Sequence, residues 1–221
     1  RPLPPTRQRG PFVLSFWGKG GSGKTTTALQ LAGIAAYLGH RVLVLDVDLQ
    51  GSAAAWRALR DDDSIAVQSG RPDEVEKLLQ RARSADFDLV LIDNAPGRNS
   101  YVSRVAGMTD LSIILARPSP FDLLIGSDWV KPFAGRRFVM VISAAPPTRQ
   151  GQDSPLVREA RDVLRNLGGG VWRRQLTARH SVIQCTGLGL TVIEADALSP
   201  ATQEYSRLWN SVVKELLGVT R

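Results

Sequence analysis

Short apolar runs rich in β-branched residues alternate with longer segments of helical periodicity along the whole chain. The apolar runs predict strands at Phe12–Trp17, Val42–Asp46, Leu89–Asp93, Leu111–Ala116 and Phe138–Ser143. The periodic segments predict helices at Lys24–Leu38, Ser52–Leu59, Asp73–Arg83, Phe121–Val130, Pro155–Leu167 and Pro200–Leu217. Apolar strands that alternate with helices are typical of an α/β fold, in which helices cover both faces of a mostly parallel central sheet.

The alternation continues without an inter-domain linker, so a single domain is predicted over residues 12–221. Residues 1–11 are rich in arginine and proline and lack the apolar core of a secretory signal. We expect this N-terminal segment to be disordered. Ala144–Asp153 is the most loop-like of the later segments.

The composition is that of an ordinary soluble protein. Apolar residues make up 43% and charged residues 22% of the 221 positions. No apolar run approaches the roughly 18–20 residues that a transmembrane helix needs. Cys185 is the single cysteine, which excludes an internal disulfide and suits a reducing compartment. We therefore expect a cytoplasmic protein.

The net charge of +7 and a pI near 10.2 indicate a polyanionic partner. The excess is uneven, because Arg136–Ile183 holds nine arginines and three acidic residues. Nucleic acid and an anionic membrane surface both fit this charge, and charge alone does not separate them.

A glycine-rich segment lies between the first predicted strand and the first predicted helix. Gly18–Thr25 satisfies G-x-x-x-x-G-K-[ST], the pattern of a phosphate-binding P-loop. Its glycines allow a tight turn that points N–H groups at phosphate oxygens, and the helix adds the positive end of its dipole. Lys24 is expected to hold the β- and γ-phosphates, and the Thr25 hydroxyl to bind Mg²⁺. The predicted nucleotide-binding residues are Gly20, Gly21, Ser22, Gly23, Lys24, Thr25 and Thr26.

Lys19 adds a second lysine to this loop. The string Lys19–Thr26 resembles the deviant Walker A signature of the ParA/MinD superfamily of P-loop ATPases, and the chain is most similar to the small plasmid-type ParA partition proteins. Pro118–Asp122 also resembles a loop of those proteins. The resemblance implies ATP and Mg²⁺ as cofactors, a weak ATPase activity and a homodimer that forms on ATP binding. It also implies that Lys19 acts in catalysis, by contacting the nucleotide held by the partner subunit.

Two acidic segments match further motifs of the superfamily. The residues after the second predicted strand resemble its switch I, D-x-D-P-Q-G, with Leu49 in place of the usual proline. This match implies that Asp48 positions the attacking water and that Asp46 lies beside the Mg²⁺ hydration shell. Phe87–Pro96 resembles the Walker B strand and switch II, so Asp93 is expected to hold Mg²⁺ through water. The metal residues implied by the resemblance are Thr25, Asp46 and Asp93.

Four classes of the superfamily share this core. The nitrogenase-reductase class needs two cysteines in each subunit to bridge an iron–sulfur cluster, and this chain has one. The MinD class ends in a basic amphipathic membrane helix. Here the C-terminal apolar stripe is expected to pack on the sheet instead; it consists of Tyr205, Leu208, Trp209, Val212, Val213 and Leu216. The partition class and the VirC-like accessory ATPases of conjugative DNA transfer both remain open.

Six arginines of the basic region are the candidate DNA contacts. Arg158, Arg161 and Arg165 recur at i, i+3 and i+7, so they are predicted to share an exposed face of one helix. The apolar residues of that helix are assigned to the opposite face: Leu156, Val163, Leu164 and Leu167. The other three candidates follow in sequence: Arg173, Arg174 and Arg179.

These observations predict a DNA-partitioning ATPase. ATP closes a dimer across two P-loops, the dimer binds nucleoid DNA without sequence preference, and hydrolysis releases it. A separately encoded centromere-binding protein of ParB type is expected to stimulate hydrolysis. A VirC-like role in conjugation and a MinD-like role at a membrane, which is the less expected of the two, are the alternatives.

Overall fold

The computed structural model describes residues 1–3, 10–96, 101–123 and 129–218. Within these residues, the strands are β1 (Phe12–Gly18), β2 (Val42–Asp46), β3 (Ile65–Ser69), β4 (Leu89–Asp93), β5 (Leu111–Ala116), β6 (Phe138–Ala145) and β7 (Gly170–Thr177). The helices are α1 (Lys24–Tyr37), α2 (Ser52–Arg57), α3 (Val75–Ser84), α4 (Tyr101–Ala106), α5 (Pro120–Leu123), α6 (Pro155–Asn166), α7 (His180–Gly187), α8 (Val192–Ala195) and α9 (Pro200–Leu216). Short 3₁₀ turns occupy Pro72–Glu74 and Lys131–Phe133.

The seven strands of the described residues form one parallel sheet in the order β3-β2-β4-β1-β5-β6-β7. Alternate residues of β1 enter two separate cores: Phe12, Leu14 and Phe16 face one, and Val13 and Trp17 face the other. The first core is closed by α1, α2, α7, α8 and α9, and the second by α3, α4 and α6. The predicted α/β fold, with helices on both faces of the sheet, is therefore confirmed.

The five predicted strands are present, whereas β3 and β7 have no counterpart among the predicted elements. Both are edge strands, and their residues do not form a clean apolar run: β3 is mostly half-buried, and Arg173 and Arg174 interrupt β7. The helices α4, α7 and α8 are also new. Of the helix predicted at Phe121–Val130, α5 covers the beginning, and residues 124–128 lie outside the described part of the chain.

The C-terminal helix α9 places its whole apolar stripe in the first core, against the sheet and α1. Burial of these six side chains accounts for the amphipathic pattern without a membrane. In the described residues, no helix combines the length and apolarity that crossing a bilayer requires.

The N-terminal segment is described at its two ends. The Arg1 carbonyl accepts a hydrogen bond from the Trp209 indole at 2.8 Å, and the buried Leu3 donates its N–H to His40 at 3.0 Å. These residues therefore pack on α9 and the end of α1. The disorder expected of residues 1–11, and with it the domain boundary at residue 12, stays a prediction for residues 4–9, which lie outside the described part.

A buried arginine fixes the far end of α2, the helix that follows the switch I match. The Arg60 guanidinium donates to the Gly189 carbonyl at 2.9 Å and to Glu194 at 2.7 Å. It also lies over the Trp56 ring, 4.8 Å from the ring centroid. Because these partners belong to α2, the α7–α8 connection and α8, Arg60 ties α2 to the part of the chain that follows β7.

The helix α6 turns a different face to the core than the one predicted. Its buried residues are Val157, Ala160, Arg161 and Leu164, whereas Leu156 and Val163 are exposed. Arg161 donates to the Trp172 carbonyl at 2.7 Å, to the Arg174 carbonyl at 3.3 Å and to Asp153 at 2.7 Å. The prediction that Arg161 lies on an exposed face, as a DNA contact would require, is wrong, because Arg161 is buried and its guanidinium satisfies backbone carbonyls of the edge strand β7.

Replacing Arg161 tests this structural role. Arg161→Ala should lower the free energy of unfolding by about 2–4 kcal/mol, because it leaves two carbonyls and a half-buried carboxylate without their partner. Arg165→Ala, on the same helix, removes an exposed ion pair with Asp162 and should change the free energy of unfolding by no more than about 0.5 kcal/mol. Urea unfolding of both variants at matched slope measures the difference. Equal, small effects would contradict the role assigned to Arg161.

Candidate functional site

The carboxyl ends of three central strands meet at one edge of the sheet. In the pairing register, Asp46 of β2 stands beside Asp93 of β4, and Asp93 stands beside Phe16 of β1. The loops that leave these strands carry the P-loop, the switch I match and the Walker B match. Segments far apart in sequence are thus brought together at the place where parallel α/β sheets bind ligands.

The P-loop joins β1 to α1 in a conformation that requires glycine. Gly21 and Gly23 have φ of 76° and 85°, and Gly23 is the N-cap of α1. A Cβ atom on Gly18 would lie 2.4 Å from the Leu115 carbonyl, so β1 approaches β5 too closely for any side chain there. The first turn of α1 holds no acidic residue. Its N-terminus is therefore suited to an anionic ligand.

Lys24, the first residue of α1, is buried at the base of this loop. Its ammonium group donates to the Lys19 carbonyl at 3.5 Å. Burial lowers the pKa of Lys24, while the negative charges of Asp93 and Asp48 oppose that shift. The site therefore holds a cation whose hydration is incomplete, and such a cation gains most from a phosphate partner.

Thr25 and Asp93 form the closest polar contact of the site. The Thr25 hydroxyl donates to Asp93 Oδ2 at 2.6 Å, and Asp93 is fully buried. Burial raises the pKa of Asp93 to about 7, the Thr25 hydrogen bond opposes this rise, and the nearby Asp46 adds to it. Asp93 Oδ1 has no hydrogen-bond partner among the described residues. A buried carboxylate oxygen left in this way is suited to a cation or a cation-bound water.

Asp46 and Asp48 are held in different ways. Asp46 is buried, and its two oxygens accept from the N–H groups of Ala54 (2.9 Å) and Asp48 (3.3 Å). Asp48 is half-buried and accepts from the Gln50 N–H at 3.0 Å. The turn is closed by the Gly51 N–H on the Asp48 carbonyl at 2.9 Å, so it forms without the usual proline. Asp46 shapes the loop, and Asp48 is the more accessible carboxylate.

The oxygen atoms at this edge fit magnesium. No group of three or more His, Cys, Asp or Glu side chains that could hold a metal by itself occurs in the described residues. Mg²⁺ usually keeps several waters and takes one or two carboxylates together with substrate phosphates. Thr25 and Asp93, with Asp46 beside them in the sheet register, offer that kind of donor set.

The Lys19 side chain contacts the short helix α5. Its ammonium group lies 3.6 Å from Asp122 Oδ1 and donates to the Phe121 carbonyl at 3.3 Å. Half of its side chain is exposed. Within this subunit, Lys19 is therefore engaged by α5.

A cavity of about 400 Å³ adjoins the P-loop on the side of β7 and α7. Its walls include Leu176, Ala178, His180, Ile183 and Tyr205, together with the Gly21–Gly23 backbone and Thr26. Sequence reasoning did not find these residues, because most come from elements more than 150 positions after the P-loop and form no motif. Their mostly apolar character suits a flat ring system.

The six candidate DNA arginines are only partly brought together. Arg158, Arg173 and Arg174 line one open groove of about 710 Å³ between the β6–α6 loop and β7, and α9 adds Arg207. Arg165 is exposed but does not line it. Arg179 does not line this groove but the cavity beside the P-loop, and it pairs at 2.6 Å with Glu204, an acid that lines the groove. Arg207 was missed because it is one of only two basic residues on α9, and no cluster of charge marks it.

The family described as the CobQ/CobB/MinD/ParA nucleotide binding domain matches residues 16–216. The "Maintenance of carboxysome distribution protein A" of Gloeobacter kilaueensis is 34% identical over 109 residues, which are 49% of this chain and 50% of that protein. "Protein ParA" of Rhizobium radiobacter is 29% identical over 119 residues, 53% of each chain. The chain thus matches about half the length of these curated relatives.

Among solved structures, the septum site-determining protein MinD of Pyrococcus horikoshii, in complex with Mg-ADP, aligns with a TM-score of 0.70. The alignment covers 91% of this chain and 95% of that protein at 17% identity. At this identity the likeness establishes the fold alone.

Proposed function

The chain belongs to the CobQ/CobB/MinD/ParA nucleotide-binding family, and we propose that it is an ATP-hydrolysing switch that partitions DNA in the cytoplasm. One observation carries this proposal: α1, the helix that follows the glycine-rich loop, presents Thr25 to the buried Asp93, beside Asp46 and Asp48. A phosphate-binding loop beside several carboxylates is the arrangement that phosphoryl transfer requires.

The P-loop and the neighbouring elements bind different parts of the nucleotide. The N–H groups of Gly20–Thr26 and the Lys24 ammonium bind the phosphates, and the adjoining cavity takes the adenine ring. Thr25, Asp46 and Asp93 hold Mg²⁺, directly or through its waters. The metal supplies charge neutralisation of the phosphate oxygens.

Asp48 is proposed to orient the attacking water. Its carboxylate is half-buried, and its negative charge opposes the lowering of the Lys24 pKa by burial. Because phosphoryl transfer depends mainly on positioning and electrostatics, one well-placed acceptor is sufficient. Lys19 reaches the nucleotide of a second subunit, so hydrolysis requires the homodimer. A ParB-type protein bound to the centromere stimulates it.

The groove beside β7 is the proposed DNA surface. Arg158, Arg173, Arg174 and Arg207 all line it, and in a dimer two such grooves would act together on one duplex. Contacts of this kind are directed to the phosphates and carry no sequence preference, as partition on nucleoid DNA requires. Burial of the α9 stripe removes the feature that favoured a membrane role.

Two substitutions separate nucleotide binding from hydrolysis. Lys24→Ala should weaken ATP binding about 10- to 100-fold, because it removes a charge-assisted contact to the phosphates from a buried position. Asp48→Asn keeps an oxygen for the Gln50 N–H and should retain ATP binding, but it should lower turnover by about 100-fold or more and accumulate the ATP dimer. Fluorescent-nucleotide titration and phosphate release measure the two effects. Turnover of Asp48→Asn close to that of the unmodified protein would exclude Asp48, and Asp46 would be tested next.

The DNA surface is tested by the salt dependence of binding. With ATP, Arg173→Ala and Arg174→Ala should each reduce the log–log slope by about 0.9 for every phosphate contact that is lost, and should weaken all duplex sequences alike. Arg71→Ala is the matched control, because Arg71 is an exposed arginine that follows β3, at the opposite edge of the sheet. An unchanged slope in both groove variants would mean that DNA does not bind in this groove.

A further inference from the structure

The Pro118–Asp122 motif forms a short turn that carries a carboxylate to the outside of the P-loop. The Asp122 N–H donates to the Ser119 hydroxyl at 3.3 Å, and the Leu123 N–H to the Ser119 carbonyl at 2.9 Å. The turn leaves the Asp122 side chain only 1% exposed. No step of the proposed hydrolysis uses this buried acid.

Asp122 is shared by two cations. The Arg117 guanidinium donates to both carboxylate oxygens, at 2.5 and 3.3 Å, and Lys19 stands 3.6 Å from Oδ1. Burial alone would raise the pKa of Asp122, but Arg117 and Lys19 hold it below its usual value. A Cβ atom on Gly21 would lie 3.4 Å from Arg117 Nη1, so the guanidinium rests against the tip of the P-loop. One carboxylate therefore holds the loop through both Lys19 and Arg117.

The two cations are bound unequally. Arg117 makes two hydrogen bonds, whereas Lys19 makes a longer contact and keeps half of its side chain in water. Exposed lysine pairs contribute about 0.2–1 kcal/mol. Because Arg117 already pairs with the buried Asp122, the charge of this carboxylate is balanced without Lys19, and the half-exposed ammonium group of Lys19 keeps donors for a second anion. Lys19 is thus held in one direction, while part of its ammonium group stays accessible to a second ligand.

We propose that Asp122, supported by Arg117, is a positioning residue that holds Lys19 beside the P-loop in the direction in which it meets the nucleotide of a second subunit, and that the contact is kept in the dimer. This inference rests on the proposed function, in which Lys19 acts across an ATP-dependent dimer. A free lysine loses about 2 kcal/mol of rotamer entropy when it is fixed in one place. Asp122 removes part of that cost before the subunits meet, and therefore strengthens dimerisation.

A double-mutant cycle on dimerisation tests the proposal. Sedimentation with Mg²⁺ and a slowly hydrolysed ATP analogue gives the dimer Kd of Asp122→Asn, Lys19→Ala and the double variant. Asp122→Asn should weaken the dimer about tenfold, since a symmetric dimer contains two such pairs. Lys19→Ala should weaken it further, and the double variant should match Lys19→Ala alone, because Asp122 acts through that lysine. Asp86→Asn, at an exposed pair with Arg41 beside the amino ends of β2 and β4, is the control and should dimerise normally.

The possible outcomes distinguish failure of the role proposed for Asp122 from failure of the proposed function. Additive effects of the two substitutions would assign Asp122 a merely structural role, and a tighter dimer in Asp122→Asn would make it a restraint on Lys19; either result overturns the proposal. If Asp122→Asn fails to fold, Asp122→Ser replaces it in the same cycle. Failure of the unmodified protein to dimerise with the analogue would overturn the proposed function, and the inference with it.

Discussion

Two buried carboxylates end neighbouring strands of a parallel sheet, and the arrangement of the site follows from the need to balance their charge. Asp46 is stabilised by hydrogen bonds from backbone N–H groups. Asp93 accepts one hydrogen bond, from the Thr25 hydroxyl, and its other oxygen has no partner among the described residues. The positive charge of the buried Lys24 opposes the rise in the pKa of Asp93 that burial causes. This charge distribution supports the proposed binding of a divalent cation and a phosphate at the point where the P-loop, both acids and α2 meet.

The sequence predicted those parts of the site that are formed by consecutive residues. The P-loop conformation depends on glycines at fixed positions, and the acids follow apolar strands directly, so local pattern was sufficient. The cavity beside the P-loop and the Lys19–Asp122 pair depend on chain segments that are distant in sequence. Nothing in the local pattern marks Ile183 or Tyr205 as neighbours of Gly21. The edge strand β7 was missed because adjacent arginines break the apolar alternation on which strand prediction relies.

The arginines show why charge in a sequence is an uncertain guide to a surface. Arg60, Arg161 and Arg179 each bind carboxylates or carbonyls within the protein. Their guanidinium groups tie helices to the sheet or to one another, a task for which several donors in a plane are suited. The helical spacing predicted one exposed face for Arg158, Arg161 and Arg165, but only Arg158 and Arg165 are exposed and Arg161 is buried. Of the six candidates, Arg158, Arg173 and Arg174 line the groove beside β7, which is the proposed DNA surface.

The central claim is that nucleotide state controls both assembly and DNA binding. It is tested most directly by co-sedimentation of the unmodified protein with duplex DNA at about 100 mM salt, with Mg-ATP, with Mg-ADP and without nucleotide. The account predicts that DNA is retained with Mg-ATP and is largely lost in the other two conditions, because two grooves must act together. Equal retention in all three conditions would contradict it.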